Sequence, residues 1–225
     1  SNGNIIVEGI FGIILYPILL YKYNVEIAGL WIFFLSFYPI VNLAQAGLGT
    51  VVSRIANKNT RFEVSIDFLK QLKLIYSGVV LAMGLICLVL YFTYIKNRVN
   101  SLNLESQGTL AWVLISLSFC VKMYFTRYFH ILNSFGIVGR DKLSTSLTTL
   151  INLIGISLVV YLDFNIAYLG LVYLFSSIFY GRIAIVMINQ INLKEKFISN
   201  GQISLRKIFE MCIEGGKILI LNLTA

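Results

Sequence analysis

Apolar residues in this chain run in long blocks, not in the alternation of a half-buried strand or the one-sided stripe of a soluble helix. Six blocks approach or exceed the roughly 20 apolar residues that a helix needs to cross about 30 Å of hydrocarbon. They are Ile5–Tyr21, Ile27–Gly47, Leu72–Ile95, Thr109–Phe135, Leu143–Leu162 and Ile166–Ile191, and a seventh begins near Gly215 and Gly216. The pattern predicts an all-α, polytopic membrane protein: a six-transmembrane-helix bundle over residues 1–191, then a cytoplasmic connector and the start of a seventh helix over 192–225. The chain opens Ser1-Asn2-Gly3-Asn4 without an initiator methionine and stops at Ala225 inside an apolar run, so a piece of a longer protein is expected.

Composition excludes a water-solvated domain. Hydrophobic residues make up 58% of the 225 and charged residues 12%, with mean hydropathy +0.83, against about 45–50% and about 25% in soluble domains. The net charge of +8 does not point to nucleic acid, because a nucleic-acid reader gathers Lys and Arg on one face of a soluble fold. Here they sit in the connections between apolar blocks, which reads as membrane orientation with some attraction to anionic headgroups. The connections Lys22–Glu26, Lys96–Gly108 and Asp163–Asn165 hold little positive charge. The others carry Arg54, Lys58, Arg61, Lys70 and Lys73, then Arg127, Arg140 and Lys142, then Arg182, Lys194, Lys196, Arg206, Lys207 and Lys217. By the positive-inside rule the second group is cytoplasmic, and so is the amino end.

Residues 50–71 form the longest connection, and Val51, Ile55, Val64, Phe68 and Leu72 would coat one face of a helix lying on the headgroups. A simple continuation of the second helix competes with that reading. Pro17 and Pro39 fall inside spans, as hinges or as tolerated kinks. Cys87, Cys120 and Cys212 have neither metal-site nor disulfide spacing and read as small buried residues.

Ionisable and amide side chains inside a span normally face the bundle interior or a watery cavity. Ser118, Lys122, Thr126 and Asn133 fall within about 40° of one line on the fourth helix at about 100° per residue, with His130 beside them. The first helix offers Asn4, Glu8, Gly12 and Tyr16, the second Tyr38, Asn42, Gln45 and Gly49, the fifth Thr145, Thr148, Asn152 and Gly155. These stripes would line a hydrated groove. The competing reading, hydrogen bonding between helices, is worth only about 0.6 kcal/mol per bond. Gly170, Ser177 and Gly181 on the sixth helix read as close packing, and His130 as a satisfied interface histidine. Lys122 differs, because a mid-helix Lys costs about 2.5–3.5 kcal/mol on insertion scales. It is expected roughly 20 Å from the outer end of its helix, as a functional charge or one that snorkels to the interface. Glu8 poses the same question.

The stretch Gly29-Leu30-Trp31, Leu35-Ser36 and Gly47-Leu48-Gly49-Thr50-Val51-Val52-Ser53-Arg54-Ile55-Ala56 resembles the second helix of polysaccharide-biosynthesis flippases. These are the O-antigen and capsule repeat-unit transporters of the multidrug/oligosaccharidyl-lipid/polysaccharide exporter superfamily. A second similarity is Tyr128-Phe129-His130-Ile131-Leu132-Asn133-Ser134-Phe135-Gly136. Where relatives often carry an acidic residue before Gly-Leu-Gly, this chain has Gln45-Ala46. The resemblance implies one lobe of a two-lobe transporter in the bacterial cytoplasmic (inner) membrane, moving undecaprenyl-pyrophosphate-linked oligosaccharide outward by alternating access for surface polysaccharide assembly. The implied partners are that lipid-linked oligosaccharide, membrane lipids, and polysaccharide polymerase and chain-length proteins; no nucleic acid, cofactor, metal or catalytic group is implied. Lys122, with Arg54, Arg127 and Arg140 at the cytoplasmic mouth, would meet the pyrophosphate. Asn42, Thr126, Asn133 and Asn152 would meet sugar hydroxyls, and Glu8 would serve ion coupling. Each mouth arginine is also readable as a topology determinant. Two alternatives stay open: a multidrug and toxin extrusion-type exporter, which would favour acidic cavity residues, and a membrane polysaccharide polymerase or lipid-sugar transferase, which would need a long catalytic loop or clustered carboxylates.

The charge asymmetry predicts that single cysteines at Asn97 or Asn165 react with an impermeant thiol reagent outside intact cells, and that cysteines at Lys58 or Lys194 react only after permeabilisation. Labelling in the reverse pattern contradicts the orientation.

Overall fold

A computed structural model describes residues 13–37, 48–52, 66–134 and 138–190, with Ile213 and Lys217 as isolated helical positions. Among the described residues the secondary structure is helical throughout, joined by tight turns and with no strand. In chain order the helices are α1 (Ile13–Lys22), α2 (Val25–Leu35), α3 (Ile66–Leu90, continuing through a π-helical turn at Tyr91–Ile95 into Lys96–Ser101), α4 (Glu105–Ser134), α5 (Val138–Tyr161) and α6 (Ile166–Gln190). Residues 48–52 are also helical.

Four helices, α3 to α6, are long and apolar enough to cross a membrane, whereas the described parts of α1 and α2 are shorter. This is an all-α architecture of the membrane type. The remainder of the first two expected spans and the connector over 192–225, apart from Ile213 and Lys217, lie outside the described residues, as does Pro39. Helix α1 runs through Pro17 unbroken.

Two boundaries differ from the sequence reading. The expected connection Lys96–Gly108 shrinks to Leu102, Asn103 and Leu104, because Lys96–Ser101 stays helical and α4 starts at Glu105. Likewise α5 begins at Val138, so Arg140, Asp141 and Lys142 lie in its first turns and not in a connection. Hydropathy falls where charge begins, but the helical hydrogen-bond ladder continues into the polar interface at no cost. Of the residues expected on one face over 50–71, Val51 and Leu72 are each 1% exposed, packed with Leu48, Val52, Ile75, Tyr76 and Ile131. Ile55 and Val64 lie outside the described residues.

The α3–α4 and α5–α6 turns share one solution. Asn103 (φ 55°) and Asp163 (φ 60°) adopt the left-handed conformation. Their amides donate to Asn100 O and Val160 O, and the next amides, of Leu104 and Phe164, to Val99 O and Val159 O. These are paired Schellman closures, which satisfy the last carbonyls of each helix, and Asn and Asp are the side chains that tolerate the left-handed region best after glycine. The chain restarts with Asn165, whose Oδ1 accepts from the Ala167 amide at 3.0 Å; Asn24 caps α2 in the same manner through the Ile27 amide at 2.9 Å.

The turn between α1 and α2 is fastened to the α5–α6 turn. Lys22 Nζ pairs with Asp163 at 3.1 Å and donates to Phe164 O, and Tyr23 OH donates to the same carbonyl at 2.9 Å. Burial, reinforced by the negative charge of Asp163, pushes the Tyr23 phenol up to about 12. Beneath this clasp an aromatic core links α2, α4 and α6. Trp31 meets Tyr173 edge-on (5.6 Å), Phe34 lies 5.1 Å from Trp112, and the Trp112 indole donates to Cys87 O on α3 at 3.2 Å. Cys87 is buried and Cys120 half-buried, both as free thiols.

Helices α4 and α6 approach closely. A Cβ on Gly170 would sit 2.8 Å from Leu114 Cβ and 3.0 Å from the Ala111 carbonyl oxygen, and one on Gly181 would enter the Phe125 ring at 2.4 Å. Ser177, between them, is 5% exposed. Small residues let backbones approach where lipid supplies no hydrophobic drive between helices. Gly170→Val is expected to destabilise the protein in detergent by about 1–3 kcal/mol, more than Gly29→Val, whose Cβ would meet nothing within 4 Å. Chemical unfolding of the two variants side by side checks this.

Candidate functional site

Several Ser and Thr hydroxyls on α4, α5 and α6 are committed to their own helices. Thr126 donates to Lys122 O, Ser144 to Arg140 O, Thr145 to Asp141 O, Thr148 and Thr149 to Thr145 O, Ser157 to Leu153 O and Ser176 to Tyr173 O, all between 2.8 and 3.0 Å. Back-bonding of this kind satisfies the hydroxyl hydrogen within one turn. Neither expectation for these residues, a sugar groove or bonds between helices, describes where their protons go. Thr126 in particular, expected to meet a sugar, is 5% exposed with its proton spent. Gly155, expected on the groove, packs against Val172, whose Cγ1 would lie 2.5 Å from an added Cβ.

The groups left over converge at one place. Tyr180 on α6 donates its hydroxyl to Asp141 Oδ1 at 3.2 Å, and Asn133 on α4 donates its amide to Asp141 Oδ2 at 3.5 Å. Lys122 Nζ lies 5.4 Å from the centroid of the same Tyr180 ring, a cation–π approach, and its charge and that of Lys142 act on the Asp141 carboxylate. Phe129 backs the tyrosine, with ring centroids 4.6 Å apart. One ammonium, one carboxylate, one amide and one phenol from three helices thus form one half-buried polar cluster. The Asn133 Oδ1 oxygen is buried without a partner among the described residues, an acceptor held ready.

Because α4 starts at Glu105 and not at Thr109, Lys122 stands about 26 Å from its start, against roughly 20 Å expected, the extra turn lying outside the expected span. Arg182 stands at a similar depth, about 24 Å along α6 from Ile166. Both approach the end of the bundle that carries Lys70, Lys73, Arg140 and Lys142, all exposed.

Of the other expected site residues, Asn152 lies on α5 about 16 Å beyond Asp141; its Oδ1 is buried and unpartnered among the described residues, and it does not join the cluster. Arg127 does not stand at an open mouth. It is 6% exposed, its guanidinium 3.7 Å from the Tyr124 ring centroid and 4.7 Å from that of Tyr128, and it donates to Tyr128 OH at 3.0 Å. Arg140 is exposed. His130 packs edge-on to Tyr76 at 6.0 Å and fills the space where a Gly49 Cβ would be, 2.2 Å away, so Gly49 makes room for a ring. Glu8, Asn42 and Arg54, with Asn4, Gly12, Tyr38 and Gln45, lie outside the described residues. No cluster of three His, Cys, Asp or Glu side chains suited to a metal occurs among the described residues.

Asp141 and Tyr180 were not picked out by the sequence. Asp141 is flanked by Arg140 and Lys142 and reads as part of a solvated turn, and Tyr180 is one aromatic among many. No family, curated protein or solved structure matches this chain.

Removing a donor from a half-buried carboxylate costs about 1–3 kcal/mol. Tyr180→Phe is therefore expected to lower stability in detergent by about that amount, and to be close to neutral in an Asp141→Ala background, where no carboxylate remains to satisfy. A double-mutant cycle by denaturant unfolding measures it; equal losses in both backgrounds show that the two groups are not coupled.

Proposed function

We propose that the chain is a helical lobe of a membrane transporter that carries an anionic, lipid-linked sugar, as its resemblance to repeat-unit flippases implies. Lys122 is the group that meets the pyrophosphate. The observation that supports this reading is the placement of Lys122 over the Tyr180 ring, whose hydroxyl reaches Asp141, so that its charge acts on that carboxylate. A half-buried ammonium needs compensation, and the Asp141 carboxylate contributes to it. A flexible ammonium attracts a phosphate without the fixed two-point grip of a guanidinium, so capture and release both stay accessible. The amide oxygen of Asn133, free to accept, suits a sugar hydroxyl.

The polar end with Arg140, Lys142, Lys70, Lys73 and Arg182 faces the bacterial cytoplasm in this proposal, with the amino end, because positive charge is retained on that side. The anionic headgroup is then collected at the cytoplasmic leaflet, close to Lys122. A second lobe, which alternating access requires, supplies the other wall of the path.

Asp141 also gives the drug-exporter reading a carboxylate that the sequence had offered only at Glu8. The two readings separate on Lys122. For a flippase, Lys122→Ala and Lys122→Glu reduce surface glycan in cells that depend on the full-length protein by roughly tenfold or more, the loss of about 1.4 kcal/mol in binding. Lys122→Arg retains part, and membrane levels stay near normal. For an exporter of cationic compounds, removing the competing ammonium leaves glycan unchanged and alters efflux of a cationic dye. Normal glycan with Lys122→Ala rules out the pyrophosphate role, and loss of the protein from the membrane marks Lys122 as a structural partner of Asp141.

A further inference from the structure

At the opposite end of the bundle from Lys122, the surface of α3 carries a shallow, open cavity of about 340 Å³ lined by Thr93, Tyr94, Asn97, Arg98 and Ser101. The π-helical turn Tyr91–Ile95 runs directly into it, and single insertions of this type inside helices recur at functional sites. Two of the lining hydroxyls are already spent. Thr93 donates to Val89 O at 2.9 Å and Ser101 to Arg98 O at 2.8 Å. The donors that remain are the Arg98 guanidinium, the Asn97 amide and the Tyr94 hydroxyl, all on exposed residues, and no carboxylate lines the cavity.

The cavity sits at the limit of an apolar track. Val89 and Ile86, one and two turns back from Thr93 on the same face, are 56% and 53% exposed. Phe92 and Tyr94, both exposed, place aromatic rings at this level of α3, as at a membrane–water interface. The Tyr94 ring leans on Phe33, 5.0 Å between centroids. It is thereby held at the rim and is not arranged as a cage for a quaternary ammonium.

We propose that this cavity seats the phosphodiester of an anionic phospholipid. Arg98 takes the phosphate oxygens through its planar fork of N–H donors. Asn97 and Tyr94 serve the headgroup, and an acyl chain lies along Val89 and Ile86. The apolar track is what distinguishes a lipid from a free phosphate, which would have no use for it. The site is independent of the transport reading and lies on a different helix.

The test uses the full chain in nanodiscs of phosphatidylcholine alone or with a minor share of phosphatidylglycerol, with bound lipid counted by native mass spectrometry. Phosphatidylglycerol is expected to be retained in preference to phosphatidylcholine. Arg98→Gln reduces that preference roughly tenfold, and Arg98→Lys keeps part of it. Ser101→Phe, which fills the cavity and leaves every charge in place, abolishes it. Lys96→Gln, an exposed cation outside the lining, leaves it intact. Thermal unfolding in phosphatidylcholine alone is unchanged in all four, since these side chains are exposed. The proposal is overturned if Arg98→Gln or Ser101→Phe retains phosphatidylglycerol as the unaltered chain does. Equal loss with Lys96→Gln also overturns it, as general surface attraction. So does saturable stabilisation by inorganic phosphate without any lipid preference, which would mark a soluble-anion site.

Discussion

The near-contact of α4 and α6 places the polar groups that meet inside the bundle. Hydrocarbon surrounding a helix is as apolar as leucine, so helices hold together through packing distance and not through exclusion of water. Gly170 against the Ala111 carbonyl and Gly181 against the Phe125 ring bring α6 close along its length. That approach carries Tyr180, the residue before Gly181, across to α4, where its ring lies near Lys122 and its hydroxyl reaches Asp141 of α5. A larger residue at Gly181 would displace the tyrosine as well as the helix. Packing and polar site are therefore one feature viewed from two sides.

Helical hydrogen bonding also decides which polar groups are available for function. In lipid every backbone donor must be satisfied within the segment, and hydroxyl side chains fold back onto carbonyls one turn earlier because these lie within reach. Serines and threonines of α5 follow this rule in series. What cannot be silenced that way is a side chain too long or too charged to bond its own turn: Lys122, Asn133, Asp141 and Tyr180. They meet because three helices bring them together, and the cluster is consequently the site with chemistry to spare.

The two ends of the bundle differ in construction. One is closed by tight turns, with left-handed Asn103 and Asp163 and the Lys22 and Tyr23 clasp onto the carbonyl of Phe164. These contacts tie α1 and α2 to the α5–α6 hairpin with few exposed cations. The other carries Arg140, Lys142, Lys70, Lys73 and Arg182 on its surface, with Arg127 withdrawn between two tyrosine rings. Among the described residues, positive charge is therefore concentrated at one end of the bundle.

Hydrophobic run length alone determined the all-helical membrane architecture and located α4 to α6 to within about five residues and α3 to within about six at each end, because roughly 20 consecutive apolar residues have few other uses. The same periodicity put Lys122 and Asn133 on one line and marked Gly170, Ser177 and Gly181 as packing positions. Sequence reasoning stopped where the outcome depended on a neighbour. Asp141 looked like a turn residue because its flanking charges end the apolar run, yet the helix continues through it. Tyr180 gained its role only from the approach of α6 to α4. Arg127 was readable as a mouth residue until Tyr124 and Tyr128 were seen to enclose it. A one-dimensional pattern records which faces are polar; which polar groups meet across helices is fixed by interhelical distance and rotation, and those only the tertiary structure decided.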